Sequence, residues 1–259
     1  TFENRARDHR LRALFPLGIA TDTIVSDGHF YVNRRPIAEP EAKDWLQPPS
    51  GTHPQQEFSL LDDAAGGLAL LNRGLPEIAA VGGGAAGAGG VGLALTLLRA
   101  VGWLSRDDLP VRQGHAGPAF ETPGGQVPGK WAFDYAIILH KGDWRAACQH
   151  AYAFETPLRA ATAALHPGEL AAEGSFISHS PAEFVISAVK EADDGRGWIV
   201  RGYNISDEEI SVTLTPWRKF KSAERANMAE ETVTRLKIGR GGEVTVDARG
   251  HEVVTVKFG

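Results

Sequence analysis

The sequence predicts a mainly β chain that ends in a small antiparallel sandwich and carries one or two short helices. Three observations support this. Short runs alternate apolar and polar residues with period two, as half-buried strands do. Turn-forming residues such as Asp193-Asp194-Gly195 and the glycine-rich stretch 239–242 fence those runs. Clear helical spacing shows in a single stretch. In chain order, residues 57–72 and 132–140 read as strands. A helix follows Asp143, whose carboxylate can cap its first turn. Trp144, Cys148 and Tyr152 then recur at four-residue intervals to form one apolar stripe, and Pro157 limits the helix. The polar run from His166-Pro167-Gly168 to Glu173-Gly174-Ser175 sets the expected boundary between a larger unit over 1–170 and a small sandwich over 171–259. In that sandwich Ile210, Val212 and Leu214 alternate with Ser211 and Thr213, and 184–189, 198–203, 232–237, 243–247 and Val253–Phe258 behave alike. Short strands at this density match an antiparallel sandwich.

Composition narrows the function. A chain of 259 residues buries enough surface to fold without a disulfide or a structural metal. Its 27 lysines and arginines against 32 acids leave a net charge of -5, which argues against nucleic acid or an anionic membrane as a partner. No apolar run is long enough to span a bilayer. The single cysteine, Cys148, excludes an intrachain disulfide and a cysteine-rich metal site. With no apolar signal core near Thr1, it fits a cytoplasmic location. The charged opening without methionine reads as a piece of a longer protein, with removal of an initiator methionine as the alternative. A homo-oligomer stays open at this point.

The motifs by themselves select no chemistry. Gly82-Gly83-Gly84-Ala85-Ala86-Gly87 has the form of a dinucleotide fingerprint. The glycine density over 82–92 would weaken the helix that such a site needs, however, so the run reads as a flexible loop. The nine histidines are scattered, without H-x-H or H-E-x-x-H spacing, so no metal site is assigned. No G-x-S-x-G elbow supports a Ser–His–Asp triad. Glu57, Asp62, Asp63, Asp107, Asp108, Glu121 and Asp134 could supply a glycosidase pair, but spacing picks no pair among them. Asn204-Ile205-Ser206 matches a glycosylation acceptor by chance. Most of the six tryptophans are expected in the core.

Several stretches carry a resemblance stronger than these motifs. They are Asp8-His9-Arg10-Leu11-Arg12, residues 58–77 with Asn72-Arg73-Gly74-Leu75-Pro76-Glu77, and residues 93–106. They continue in Ala116-Gly117-Pro118, Thr122-Pro123-Gly124-Gly125-Gln126, Asp134-Tyr135-Ala136 and Val200-Arg201-Gly202-Tyr203-Asn204. Together they resemble the C-terminal region of glycoside hydrolase family 38, the α-mannosidases and their prokaryotic relatives. The resemblance implies a large β supersandwich followed by a small β-sandwich. It also implies a retaining α-mannosidase whose nucleophile, acid/base carboxylate and zinc belong to an N-terminal catalytic domain of the same chain. No catalytic residue and no metal ligand is therefore assigned in 1–259. The resemblance assigns Asn72, Arg73 and Gly74, chiefly Arg73, to the flank of a mannoside or oligosaccharide substrate. The residues themselves leave a second role open for Arg73, an ion pair with Glu77 or another acid. Two other readings remain: a carbohydrate-binding sandwich with exposed tryptophans, and a small enzyme using its own carboxylate pair.

Overall fold

Strands dominate the computed structural model, which describes residues 1–82, 90–168 and 171–259. From the N-terminus they are β1 (Phe2–Asn4), β2 (Arg10–Ile19), β3 (Thr23–Gly28), β4 (Tyr31–Pro36), β5 (Thr52–Pro54), β6 (Phe58–Asp63), β7 (Gly66–Asn72), β8 (Glu77–Gly82) and β9 (Val91–Arg99). There follow β10 (Asp108–Leu109), β11 (Arg112–Gln113), β12 (Gly129–Trp131), β13 (Tyr135–His140) and the helix α1 (Arg145–Glu155). The last eight are β14 (Ile177–Ser180), β15 (Phe184–Glu191), β16 (Trp198–Asn204), β17 (Ile210–Pro216), β18 (Ala223–Ala226), β19 (Thr232–Leu236), β20 (Val244–Ala248) and β21 (Val253–Phe258). The chain divides into two compact units. One comprises Thr1–Gly28 and Asn33–Pro157, the other His29–Val32 and Leu158–Gly259.

The first unit pairs a five-stranded sheet, ordered β13-β7-β6-β3-β4, with a four-stranded sheet, ordered β2-β9-β8-β5. Ile24, Leu61, Leu68 and Leu70 from the first sheet meet Ile78, Val91, Leu93 and Leu95 from the second in one core. Full burial of each such side chain contributes about 1.5–3 kcal/mol. Consecutive residues Leu68 to Asn72 are all buried, so β7 is covered on both faces. The second cover is α1, which packs against β6, β7 and β13. The expected cap is displaced by one residue: Trp144 stands at the N-cap without a side-chain bond, and the Asp143 carboxylate just before it accepts the Arg145 N–H at 3.0 Å. Trp144, Ala147, Cys148 and Ala151 form the buried face of the helix.

The second unit packs a five-stranded sheet, ordered β15-β16-β21-β18-β19, on a three-stranded one, ordered β14-β17-β20. Phe184, Val200, Val256 and Phe258 face Val212, Leu214, Val244 and Val246 in its core. Gly202 is required there, since a Cβ would lie 2.5 Å from the Phe184 ring. Asn204 is fully buried, and its amide donates to the carbonyls of Glu208, Ala248 and Arg249. That burial removes it as a glycosylation acceptor.

Some expectations need correction. The tryptophans are not mostly core: Trp144 is buried, whereas Trp45, Trp103, Trp131 and Trp217 are exposed. Residues 57–72 form two strands, with β6 and β7 paired as a hairpin from Phe58↔Leu71 to Asp63↔Gly66. The glycine run is described only at its ends, where Gly82 and Val91 pair across β8 and β9. Residues 83–89, which hold most of the fingerprint-like motif, lie outside the described residues. Among the described residues no helix is long and apolar enough to cross a membrane.

Candidate functional site

The turn after β7 is shaped by its own side chains. Asn72 is buried, and its Oδ1 accepts the Leu75 N–H at 2.8 Å, closing the turn. Its Nδ2 donates to the Gln56 carbonyl at 2.6 Å, and its backbone N–H donates to the Glu57 carbonyl at 3.0 Å. Gly74 sits at φ +67, in left-handed backbone that glycine adopts without steric cost. Gln55 closes the arrangement, donating Nε2 to the Leu75 carbonyl at 2.8 Å. Asn72 and Gly74 therefore build the turn, and Arg73 projects from it.

Arg73 is held from three sides. Its Nε donates to the Phe154 carbonyl at 2.9 Å, and a second guanidinium nitrogen donates to the same oxygen. Its guanidinium carbon lies 4.3 Å from the Phe154 ring centroid. Phe154 belongs to the last turn of α1, where backbone carbonyls lack intrahelical donors and the helix dipole is negative. Arg73 is thus a helix cap as well as a turn residue. A third nitrogen lies 3.7 Å from the Asp134 carboxylate. Asp134, not Glu77, is the acid beside Arg73; Glu77 instead pairs with Arg10 and accepts from Thr96. Two bonds use only part of the five donors that a guanidinium carries, and 33% of the side chain is exposed.

Beneath the turn lies an acidic floor. Asp27, at the end of β3, is 1% exposed. Its Oδ2 accepts the Glu57 N–H at 3.3 Å, while its Oδ1 has no partner. Burial, reinforced by the Glu57 carboxylate, pushes its pKa up to about 7. Glu57 is raised as well, by burial and then by Glu155. Sequence reasoning missed Asp27, because Asp27-Gly28 after an apolar run looks like a solvated turn. It missed Phe154 too, since nothing local marks the residue that a remote arginine will cap.

Ser105, His115 and Asp107 come together in the order of a triad, with 3.3 Å from Ser105 Oγ to His115 Nδ1 and 3.7 Å from His115 Nε2 to Asp107. Ser105 Oγ, however, already accepts the N–H groups of Ala116 and Gly117. Those bonds hold a loop and draw electron density from the oxygen, which opposes its use as a nucleophile. Among the described residues no three His, Cys, Asp or Glu side chains are grouped to hold a metal ion.

Comparison with known proteins adds the family. Residues 183–256 match the model described as the glycosyl hydrolases family 38 C-terminal beta sandwich domain. A protein of Halalkalibacterium halodurans, provisionally named a mannosylglycerate hydrolase, is 30% identical over 99% of this chain and 26% of its own length. The crystal structure of an α-mannosidase from Enterococcus faecalis superposes with a TM-score of 0.76 at 29% identity, over 99% of this chain and 26% of that one. Over its length this chain is similar to family 38 proteins, and residues 183–256 match that family's C-terminal sandwich. A second Enterococcus faecalis structure, of a protein in glycosyl hydrolase family 38, superposes on this chain with a TM-score of 0.74 at 27% identity. It covers 99% of this chain and 27% of that one. The chain thus spans about a quarter of the length of the relatives it matches.

Proposed function

We propose that this chain is the C-terminal region of a retaining, zinc-dependent α-mannosidase that acts on α-mannosides. In this reading the zinc and the reacting carboxylates belong to a catalytic domain N-terminal to this region, and no catalytic step is carried out by residues 1–259. The region flanks the substrate with Arg73. The observation that carries this is a guanidinium fixed at its base by the Phe154 carbonyl and ring, yet partly exposed with donors unused. A cation so fixed loses little freedom when it binds sugar hydroxyls, and it can strengthen those bonds as charge develops on the sugar. Asn72 and Gly74 hold it there.

The test is Arg73→Ala in a full-length protein that contains this region, assayed with an aryl α-mannoside. The expected result is a fall in kcat/KM of about 10–1,000-fold, equivalent to about 1.4–4 kcal/mol of transition-state stabilisation. An unchanged kcat/KM would remove Arg73 from the substrate's flank and leave it as a helix cap. A carbohydrate-binding role has one observation of its own in the second unit. There Trp217, 37% exposed, meets Trp198 edge-on at 5.4 Å and Phe176 at 6.0 Å. Binding of mannose oligosaccharides that is lost in Trp217→Ala, with hydrolysis of an aryl α-mannoside intact, would favour that second reading.

A further inference from the structure

We propose that Asp27 is a positioning residue for Arg73: its buried carboxyl fixes the segment 55–57, and through it the turn that carries the guanidinium. This rests on the reading of Arg73 given above. The connection runs through the backbone of two consecutive residues, Gln56 and Glu57. On one side Asp27 accepts the N–H of Gln56 with its backbone carbonyl at 3.1 Å, and the N–H of Glu57 with its carboxyl at 3.3 Å. On the other side the Gln56 carbonyl accepts from the Asn72 side-chain Nδ2 at 2.6 Å, and the Glu57 carbonyl accepts from its backbone N–H at 3.0 Å. Asn72 is the residue before Arg73. A displacement of the Asp27 carboxyl is therefore passed to Arg73 through the Glu57 backbone, and beside it through the buried Asn72 side chain. Neighbouring bonds stiffen the segment: Ser59 donates to Gln55 at 2.6 Å, and the Gln55 N–H donates to the Pro76 carbonyl at 3.0 Å.

The same carboxyl makes the placement sensitive to pH. Asp27 has no cation paired with it among the described residues, and its Oδ1 is unpartnered. The charged groups around the segment are Glu57 on the segment itself, Glu155 at the end of α1, and Arg73 with Asp134 at the turn. Below about pH 7 Asp27 carries a proton and is compatible with burial. Above it, the anion bonds the Glu57 N–H more strongly, but the larger cost of its burial, with repulsion from the Glu57 carboxylate, works against keeping it in place. The segment should then loosen, and Arg73 with it.

A double-mutant cycle in the full-length protein, read with an aryl α-mannoside, tests this. Asp27→Ala should lower kcat/KM by about 5–50-fold on the native background and by less than about twofold on the Arg73→Ala background. Asp27→Asn, neutral and of the same shape, should stay within about threefold of the native protein at pH 6. The ratio of native to Asp27→Asn activity should then fall as pH rises from 6 to above 8, because only the native protein has this group to ionise. That ratio also decides the matter where Asp27→Ala does not fold. Equal losses with and without Arg73, a pH-independent ratio, or an Asn variant as impaired as the Ala variant would overturn the proposal. No effect of Arg73→Ala by itself would instead fell the reading of Arg73, and this inference with it.

Discussion

Asn72 in the first unit and Asn204 in the second are both buried asparagines that close a turn at the end of a strand, but their surroundings differ. Asn204 donates to three carbonyls and accepts both the N–H and the hydroxyl of Ser206. Its turn leaves nothing over. Asn72 is equally well bonded, yet the residue after it keeps unused guanidinium donors, and the floor beneath holds a carboxyl oxygen without a partner. A turn that serves only the fold meets its own hydrogen-bonding needs. The turn at Asn72 holds hydrogen-bonding capacity in reserve, which is what the proposed substrate-flanking role of Arg73 requires.

The contrast can be broken most sharply by comparing activity with stability. Arg73→Ala, expected to cost up to about 1,000-fold in kcat/KM, should lower folding stability by only about 1–2 kcal/mol, the scale of a lost helix cap. Asn204→Ala should do the reverse. Loss of its amide leaves three buried carbonyls with fewer donors, and urea unfolding should show about 2–4 kcal/mol of destabilisation. A mild Asn204→Ala would mean that water replaces the amide and that the two turns are alike.

Stability against pH sharpens the comparison further. The Asp27 pKa is raised in the folded chain to about 7 from 3.8, so the folded state holds its proton more tightly than the unfolded state. The stabilisation linked to that proton is complete below about pH 3.8 and is lost as pH rises through about 7, with a slope of at most about 1.4 kcal/mol per pH unit. Thermal melts across that window should show this decline in the native chain and its absence in Asp27→Asn. The smallest effect should come from Gly74→Ala. A Cβ there meets no neighbour, so its cost is the backbone conformation alone, about 1 kcal/mol in a urea titration.

Where one face of a strand is buried and the other solvated, the alternation was readable. Val253–Phe258 is a strand over the expected residues, and 184–189, 198–203 and 243–247 differ from β15, β16 and β20 by one or two residues at an end. β9 was harder, because Leu93, Ala94, Leu95 and Thr96 are buried in succession and no period marks them. β2 carries four exposed residues, Arg10, Leu14, Pro16 and Gly18, on an edge strand, and it reads as neither strand nor helix. The candidate site was readable only through the family resemblance, which pointed to Asn72, Arg73 and Gly74. Residue chemistry alone could not pair Arg73 with a carbonyl 81 positions away, nor separate the buried Asp27 from the half-buried Asp62 and the exposed Asp63. Contacts at that separation are set by which strands lie together, and the local pattern does not encode that.

The second unit is drawn from two stretches of the chain, His29–Val32 and Leu158–Gly259. Phe30 meets Tyr203 edge-on at 4.9 Å, and Tyr31 lies 4.4 Å from His251. A gene segment starting at the codon for residue 171 would encode the two sheets without those two rings. Recombination anywhere between codons 32 and 158 would part the sandwich from aromatic cover that it shares with no later part of the chain. A transferred segment would keep the whole unit only if it also carried the codons for residues 29–32.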